Sequence, residues 1–522
     1  MQRFSSRWVM LLAMLSMAVG TGNIWRFPRI VAQNGGGEFL VAWIVFLFLW
    51  SIPLFLVEFG AGRLTRRGPV AAFVQLAGPR WAWAGAWVAF VATAIMFYYA
   101  VVCGWTVRYV VAAVTGEIPR AEPGAFWRDY TTSWWPVLTH GISIALGVFV
   151  IARGVSAIER VAKVLMPMLI VLVIVLAVRA VTLPGAGDGL AFLFTVDWDR
   201  LANARIWIEA LTQNAWDTGA GWGLILCYGA YLREREDTAL NAFIVPAANN
   251  TISLIAGTMV LCTVFSVIPE LVANFGATPE ALSAYPALAD AVRSGEPLSA
   301  DLIQRTIFGA GNEGLTFVWM PQLFARIPLG RVFMGLFFLA LFFAAFTSLV
   351  AMIELATRVL TDAGLARARA LTTVGALGFL LGVPSAVSLD VVHNQDWVWG
   401  VGLMLSGLFF AIAVIAYGVR RFREQQLNHE HSDIRIGRWW DLVVTVLVPL
   451  QAVVLLGWWL YQARGWDPEG WLAPFAVENV GTIVLQWGVV LVVLLVLNGW
   501  LARRVRDVRP VEAGPPPPPV IP

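Results

Sequence analysis

Two stretches of this 522-residue chain set glycines among polar side chains inside otherwise apolar text. The first reads Ala18-Val-Gly20-Thr-Gly22-Asn-Ile-Trp-Arg26-Phe-Pro28 and is followed by Asn34-Gly35-Gly36-Gly37. The second reads Gln213-Asn-Ala-Trp-Asp217-Thr-Gly219-Ala-Gly221-Trp-Gly223. Glycine alone has a bland explanation in close helix packing, but Asn23, Arg26, Gln213 and Asp217 do not. A helix that stops and restarts frees amides and carbonyls from their intrahelical bonds. Free amides at the start of a half-helix hold an anion, while loose carbonyls and neutral or anionic side-chain oxygens hold a hard cation. This is binding chemistry. The four histidines (His140, His393, His429 and His431) fall near expected loop or helix ends, with no nucleophile–base set beside them. His429-Glu-His431 reads as a solvated loop. Cys103, Cys227 and Cys262 lie in apolar text and read as small buried hydrophobes, not as a disulfide framework or a zinc site.

The elements that must position these residues follow from composition. Ordinary globular chains are about 45–50% apolar and about 25% charged; this one is 59% hydrophobic and 13% charged. A soluble fold has too little interior to hide so much apolar side chain, so the chain is an all-α polytopic membrane protein. A net charge of +3 is too small and dispersed for a nucleic-acid partner; the partners are the lipid bilayer and a small solute. The N-terminus (Arg3, Arg7, then apolar residues to Gly20) resembles a signal peptide but has no small-residue cleavage pattern and reads as a retained span.

Helices that cross about 30 Å of hydrocarbon need roughly 20 apolar residues. Such runs lie near 8–30, 39–61, 84–113, 134–152, 161–182, 205–231, 240–268, 331–360, 370–388, 397–419, 439–462 and 478–502. Arginines crowd every second connection, for example Arg63, Arg66, Arg67 and Arg80, then Arg420, Arg421 and Arg423. With Arg3 and Arg7 on the same side, this places both termini in the cytoplasm of a cell (inner) membrane. The glycine-rich breaks fall in spans one and six, the positions expected of interrupted helices in a five-plus-five inverted repeat. The expected organisation is a first repeat at 1–182 (spans 1–5) and a second at 183–425 (spans 6–10) with an outer loop at 270–330 containing short helical pieces such as Pro279 to Val292. Two additional spans occupy 426–505, and a disordered Pro-rich cytoplasmic tail occupies 506–522.

These residues carry a wider pattern. Ala18 to Pro28 with Asn34 to Gly37 resembles the first-helix signature of the neurotransmitter:sodium symporter family. The likeness continues through Glu58 in Glu-Phe-Gly-Ala-Gly-Arg63, Tyr98-Tyr99, Ile158-Glu-Arg-Val-Ala-Lys-Val-Leu-Met-Pro167, Gln213 and Phe342-Phe-Ala-Ala-Phe-Thr-Ser348. It covers spans one to ten in order. The resemblance implies sodium-coupled uptake of an amino acid or related amine by alternating access, with sodium as the coupling ion at two sites. One sodium site would take the Ala18 carbonyl, Asn23, Asn249 and Asp217; the other the carbonyls of Ser16, Val19 and Ala344 with the hydroxyls of Thr347 and Ser348. The solute's carboxylate would meet the Thr21 and Gly22 amides and the Tyr99 hydroxyl, and its amino group the carbonyls of Ala18, Trp216 and Asp217. Ile95, Trp216, Gly219, Trp222, Ser348 and Met352 would wall its side chain. Arg26 and Asp396 correspond to an outer gate pair with Gln213 nearby, Asp362 to an inner-gate acid with Arg3 as a candidate partner. Glu58 would be buried against first-span backbone.

The sequence also departs from the family pattern. Gly20 stands where amine-selective members carry an aspartate, which favours a small amino acid or related zwitterion. Asp217 replaces the usual hydroxyl residue. Ser253 and Trp43 stand where the chloride-binding locus has a glutamate or a tyrosine, so Asp217 is expected to supply the fixed charge and chloride is not expected to be required. Ala157 replaces a glycine in span five, which counts against cytoplasmic unwinding there. A sodium-coupled carrier of an amine or other small organic solute, and a non-transporting membrane receptor or scaffold of the same fold, are the alternatives.

Overall fold

Hydrocarbon offers no water to the backbone, so apolar runs of this length satisfy their hydrogen bonds within helices. The computed structural model describes residues 3–118, 122–233, 236–277 and 286–505, and every regular element among them is helical. The tail at 506–522 and residues 279–285 of the expected Pro279–Val292 piece lie outside the described residues.

Ten of the expected spans are helices long and apolar enough to cross a membrane. They are span 2 (Gly37–Thr65), span 3 (Pro79–Thr115), span 4 (Trp135–Ala152), span 5 (Val155–Val181), span 7 (Thr238–Ala277), span 8 (Gly330–Asp362), span 9 (Arg367–Val387), span 10 (Leu389–Tyr417), span 11 (Trp439–Trp466) and span 12 (Val480–Arg504). The remaining two are broken. Span 1 is Arg7–Ala18 followed by Gly22–Gln33, bent by 53°. Span 6 is Ala204–Asp217 followed by Leu224–Gly229. Span 5 is helical from Val155 onward, through Ala157 and past Pro167.

The packing repeats itself when each of spans 1–5 is exchanged with the span five places later. Span 1 packs on span 7 as span 6 packs on span 2, span 3 on span 10 as span 8 on span 5, and span 4 on span 8 as span 9 on span 3. Each exchange carries one contact into another, the signature of the five-plus-five repeat. Spans 3 and 8, whose apolar segments are 78% and 83% buried, form its centre; spans 11 and 12, at 33% and 28%, lie outside it. Span 11 packs on span 10 and span 12 on span 3.

The expected outer loop at 270–330 begins later than composition suggested. Span 7 stays helical to Ala277 although Pro269 lies inside it, because a proline in a membrane helix is tolerated where neighbours satisfy the freed carbonyl. Short helices then lead to span 8, including Pro286–Arg293, Ala300–Gly309 and the stretch from Gly311 to Ala325.

Candidate functional site

The break in span 1 is three residues long. Val19 is extended (φ −73, ψ 104), and the helix restarts at Gly22 in a wide π turn. Asn23 caps the restart, its Oδ1 accepting from the Gly20 amide at 2.8 Å. Gly20 has no room for a side chain: a Cβ would stand 2.9 Å from Ser348 Oγ and 3.0 Å from the Tyr99 hydroxyl. The Thr21 amide donates to that hydroxyl at 3.2 Å. Ser348 Oγ, from span 8, donates to the freed carbonyls of Met17 (3.2 Å) and Val19 (3.4 Å).

The break in span 6 is longer and shaped by glycine. Gly219, Gly221 and Gly223 all take positive φ (76°, 87° and 80°), a conformation that side chains disfavour. The amides this turn frees are met by Glu58 of span 2, whose Oε1 accepts from Gly221 N at 2.6 Å and Oε2 from Leu226 N at 3.2 Å. Glu58 is buried as expected, but its partners are span-6 amides, not span-1 backbone. The reason is packing, since span 2 lies along both halves of span 6. Thr218 and Asn214 extend the same attachment through Ser51 Oγ (3.2 and 3.1 Å), and Asn214 Nδ2 also reaches the Trp43 carbonyl at 2.9 Å.

Between the breaks lies a knot of polar side chains at full burial. Asn23 Nδ2 donates to Asn249 Oδ1 (3.0 Å) and Ser253 Oγ (2.7 Å), and Ser253 Oγ donates to Asp217 Oδ2 at 2.6 Å. Asp217 Oδ1 is buried with no hydrogen-bond partner among the described residues, and a Cβ on Gly22 would stand 3.1 Å from it. A buried carboxylate oxygen left unanswered is costly; a cation beside Asp217 and Asn249 would answer it. In this arrangement Asn23 turns its oxygen to Gly20 and its nitrogen to the knot, so its contribution to a cation shell requires the amide to turn over. A second group of oxygens lies at Val19, Ala344, Thr347 and Ser348. Thr347 Oγ1 contacts the Ala344 carbonyl at 3.2 Å and the Phe343 carbonyl at 2.9 Å. The Ser348 contacts draw in the Met17 carbonyl, which was not among the expected ligands; Ser16 is buried directly before it.

A cavity runs from this knot toward Asn312, Glu313 and Asp396. Of the expected solute contacts, Ala18, Thr21, Gly22, Tyr99, Trp216, Asp217, Gly219, Trp222, Ser348 and Met352 line it. Ile95 does not: it is fully buried one turn before Tyr99, its side chain taken up by the core. Met17, Val102 and Leu224 add apolar wall, and Asn312, Glu313 and Val392 also border it. No sequence pattern pointed to Asn312 and Glu313, which are carried in by the outer loop.

Both outer gate residues line the cavity, but among the described residues no ion pair joins Arg26 to Asp396. Arg26 donates to Gln213 Oε1 at 2.6 Å and lies 5.5 Å over the Trp216 ring. Asp396 accepts from the Tyr98 hydroxyl at 2.8 Å. The opposite end is latched. Asp362 accepts from the Gly68 amide at 2.6 Å and lies 3.5 Å from both Arg67 and Arg358, and the Tyr231 hydroxyl and Arg367 both hold the fully buried Glu354. The N-terminal strand of chain joins this latch, Phe4 N donating to the Tyr231 carbonyl and Arg233 to the Phe4 carbonyl. Asp362, the expected inner-gate acid, thus has Arg67 and Arg358 as ion-pair partners.

Two interrupted helices flanking a cavity of largely apolar wall, with Tyr99, Asp217, Arg26 and Asp396 set into it, are the architecture of a broken-helix membrane transporter. The chain belongs to the sodium:neurotransmitter symporter family, whose model matches residues 1–133 and 131–503. It is 27% identical over 481 residues to the uncharacterized sodium-dependent transporter MJ1319 of Methanocaldococcus jannaschii, covering 87% of this chain and 90% of that one. It is 30% identical over 404 residues to the uncharacterized sodium-dependent transporter YhdH of Bacillus subtilis, covering 75% and 80%. Among solved structures it resembles the crystal structure of MhsT in complex with L-phenylalanine, with a TM-score of 0.71 and 28% identity over 87% of this chain and 99% of that one. The protein is a sodium-dependent membrane transporter of a family of transporters, not of enzymes.

Proposed function

We propose that the chain imports a small amino acid together with two sodium ions, with both termini in the cytoplasm of the cell (inner) membrane. The observation that carries this reading is the meeting of the unanswered Asp217 Oδ1, the Gly22 backbone and the Tyr99 hydroxyl on one cavity wall. The first sodium would sit at Asp217 with Asn249, Asn23 and the Ala18 carbonyl, the second at the carbonyls of Val19, Ala344 and Ser16 with Thr347 and Ser348. An aspartate at position 20 would collide with Ser348 and Tyr99, whose oxygens already fill the space a Cβ would need. A solute bringing its own carboxylate fits this arrangement better than an amine. The fixed charge of Asp217 makes chloride unnecessary. The arginine-rich ends of spans 2, 6 and 8 share a face with the N-terminus, which supports the orientation.

Each sodium entering down about 100 mV and a tenfold gradient yields about 2.3 and about 1.4 kcal/mol respectively. Two ions thus support roughly 7 kcal/mol of uphill movement, about a 10⁵-fold accumulation at perfect coupling. Alternation would come from rocking spans 1, 2, 6 and 7 against the rest, with Arg26 and Asp396 closing the outer end as the Asp362 latch releases the inner. Proteoliposomes given a labelled amino-acid mixture should accumulate one component only under an inward sodium gradient, with or without chloride. Uptake indifferent to sodium, or no uptake of any amino acid, contradicts the reading.

A further inference from the structure

A second cavity, of about 290 Å³, opens where span 8 ends and span 9 begins; Arg67, Tyr231, Arg358, Thr361, Asp362 and Arg367 line it. Arg67 follows span 2, and Tyr231 follows the second half of span 6. Arg358, Thr361 and Asp362 close span 8, and Arg367 opens span 9. The ion and solute sites leave this space unused.

Three guanidinium groups here face two carboxylates. Glu354 is fully buried and taken up by Arg367 through both of its oxygens, at 3.1 and 2.7 Å. Asp362 is left to serve the other two. Its Oδ2 accepts from the Gly68 amide, while its Oδ1 lies 3.5 Å from Arg67 Nη1 and 3.5 Å from Arg358 Nε. Both pairs are loose beside Arg423–Asp441 at 2.7 Å or Arg108–Glu117 at 2.6 Å. Among the described residues, Arg358 Nε is buried with no hydrogen bond, and Arg67 makes only the one at 3.5 Å. Three positive charges against two negative ones leave one positive charge unanswered. A buried charged donor without a full partner is costly, and the cavity at the same spot has room for the group that would answer it.

We infer that this cavity binds a phosphate-class oxyanion, held by Arg67 on one side and by Arg358 and Arg367 on the other. A guanidinium presents its N–H groups as a planar fork that fits such an anion through two oxygens at once. Arg67 belongs to the bundle that rocks, Arg358 and Arg367 to the spans it rocks against. The bound anion therefore bridges the two and reinforces the Asp362 contact that joins them, holding the inner end shut. The site stands apart from the transport reading; only its action as a bridge rests on that reading. Inorganic phosphate and the headgroup of an anionic phospholipid carry this same chemistry.

The test titrates radioactive orthophosphate onto the purified full chain in lipid-free detergent and potassium gluconate, without sodium or amino acid. One saturable site per chain is expected. Arg67→Gln should weaken it at least about tenfold, the loss expected of one charge-assisted hydrogen bond. Arg80→Gln, at an exposed arginine outside the cavity, should leave it unchanged. If Arg67→Gln does not fold, Arg67→Lys keeps the charge but loses the fork and should weaken binding severalfold. Phosphate should also slow amide hydrogen exchange at Gly68, which donates to Asp362, and leave residues 311–325 unchanged. In phosphatidylcholine nanodiscs, added phosphatidylglycerol that displaces the bound phosphate identifies a lipid headgroup as the source; phosphate that persists identifies the free ion. No saturable binding, equal binding in the Arg67 variant, the same loss in Arg80→Gln, or unchanged exchange at Gly68 each overturns the proposal. Because nothing is transported in this assay, its failure leaves sodium-driven uptake untouched, and the absence of that uptake leaves the anion site standing.

Discussion

The two interruptions are related by the repeat, yet they resolve their freed backbone in opposite ways. In span 1 the break is short, and hydroxyls at its edge, Ser348 and Tyr99, take up its carbonyls and the Thr21 amide. A carbonyl has two lone pairs, so those contacts leave acceptor capacity over for a cation. In span 6 the break is long, and a fixed carboxylate from another helix, Glu58, takes up its amides. That break contributes a charge of its own, Asp217, aimed back at span 1. Pseudo-symmetry therefore yields two unlike halves: one leaves neutral oxygens with acceptor capacity to spare, the other contributes a negative charge.

Substitutions can break that contrast at graded strength. The largest effect is expected from Glu58→Leu, which leaves the Gly221 and Leu226 amides unanswered at about 1–3 kcal/mol each. Thermal unfolding in detergent should show a large loss of stability with or without sodium; an unchanged melting temperature would contradict the assigned role. Next comes Asp217→Asn. A charge about 4 Å from sodium at an effective dielectric near 20 is worth about 4 kcal/mol, so sodium affinity should fall about 100-fold or more while the fold survives. Added chloride should restore part of it. Sodium titrations of the thermal shift report both, since a ligand stabilises according to its occupancy. Ser348→Ala removes one hydroxyl from the span-1 side, and a loss of about 1 kcal/mol predicts roughly fivefold weaker sodium binding.

The smallest effect lies away from both breaks. Burial, with Arg63 and His431 nearby, lowers His429 in the loop before span 11 to about 4. A base held below its ordinary 6.5 disfavours protonation in the fold, so its contribution is lost as pH falls from about 6.5 toward about 4. His429→Gln should flatten that part of the stability profile and leave sodium binding untouched.

Much of this arrangement is legible in the sequence, because the physics behind it is local. Span positions follow from the length of apolar runs, and the breaks from glycine beside Asn23, Arg26, Gln213 and Asp217. What escapes is set by packing between distant elements. Glu58 reads as a buried carboxylate, but which break it serves depends on span 2 lying along span 6. Ile95 has a suitable type and register, yet the core rather than the cavity takes its side chain. Arg26 and Asp396 line one mouth without meeting, because Gln213 and Tyr98 hold them apart; that is a property of the conformation, which residue types do not encode. Asn312 and Glu313 arrive on a loop with no periodicity to announce them.

Equilibrium binding of radioactive sodium to the purified chain, with and without an amino-acid mixture, tests most directly whether the two broken helices hold ions and a solute together. The account predicts saturable sodium binding that tightens when the transported amino acid is present and weakens at least about 100-fold in Asp217→Asn. Sodium binding that is absent, indifferent to every amino acid, or equal in the wild type and Asp217→Asn would contradict it.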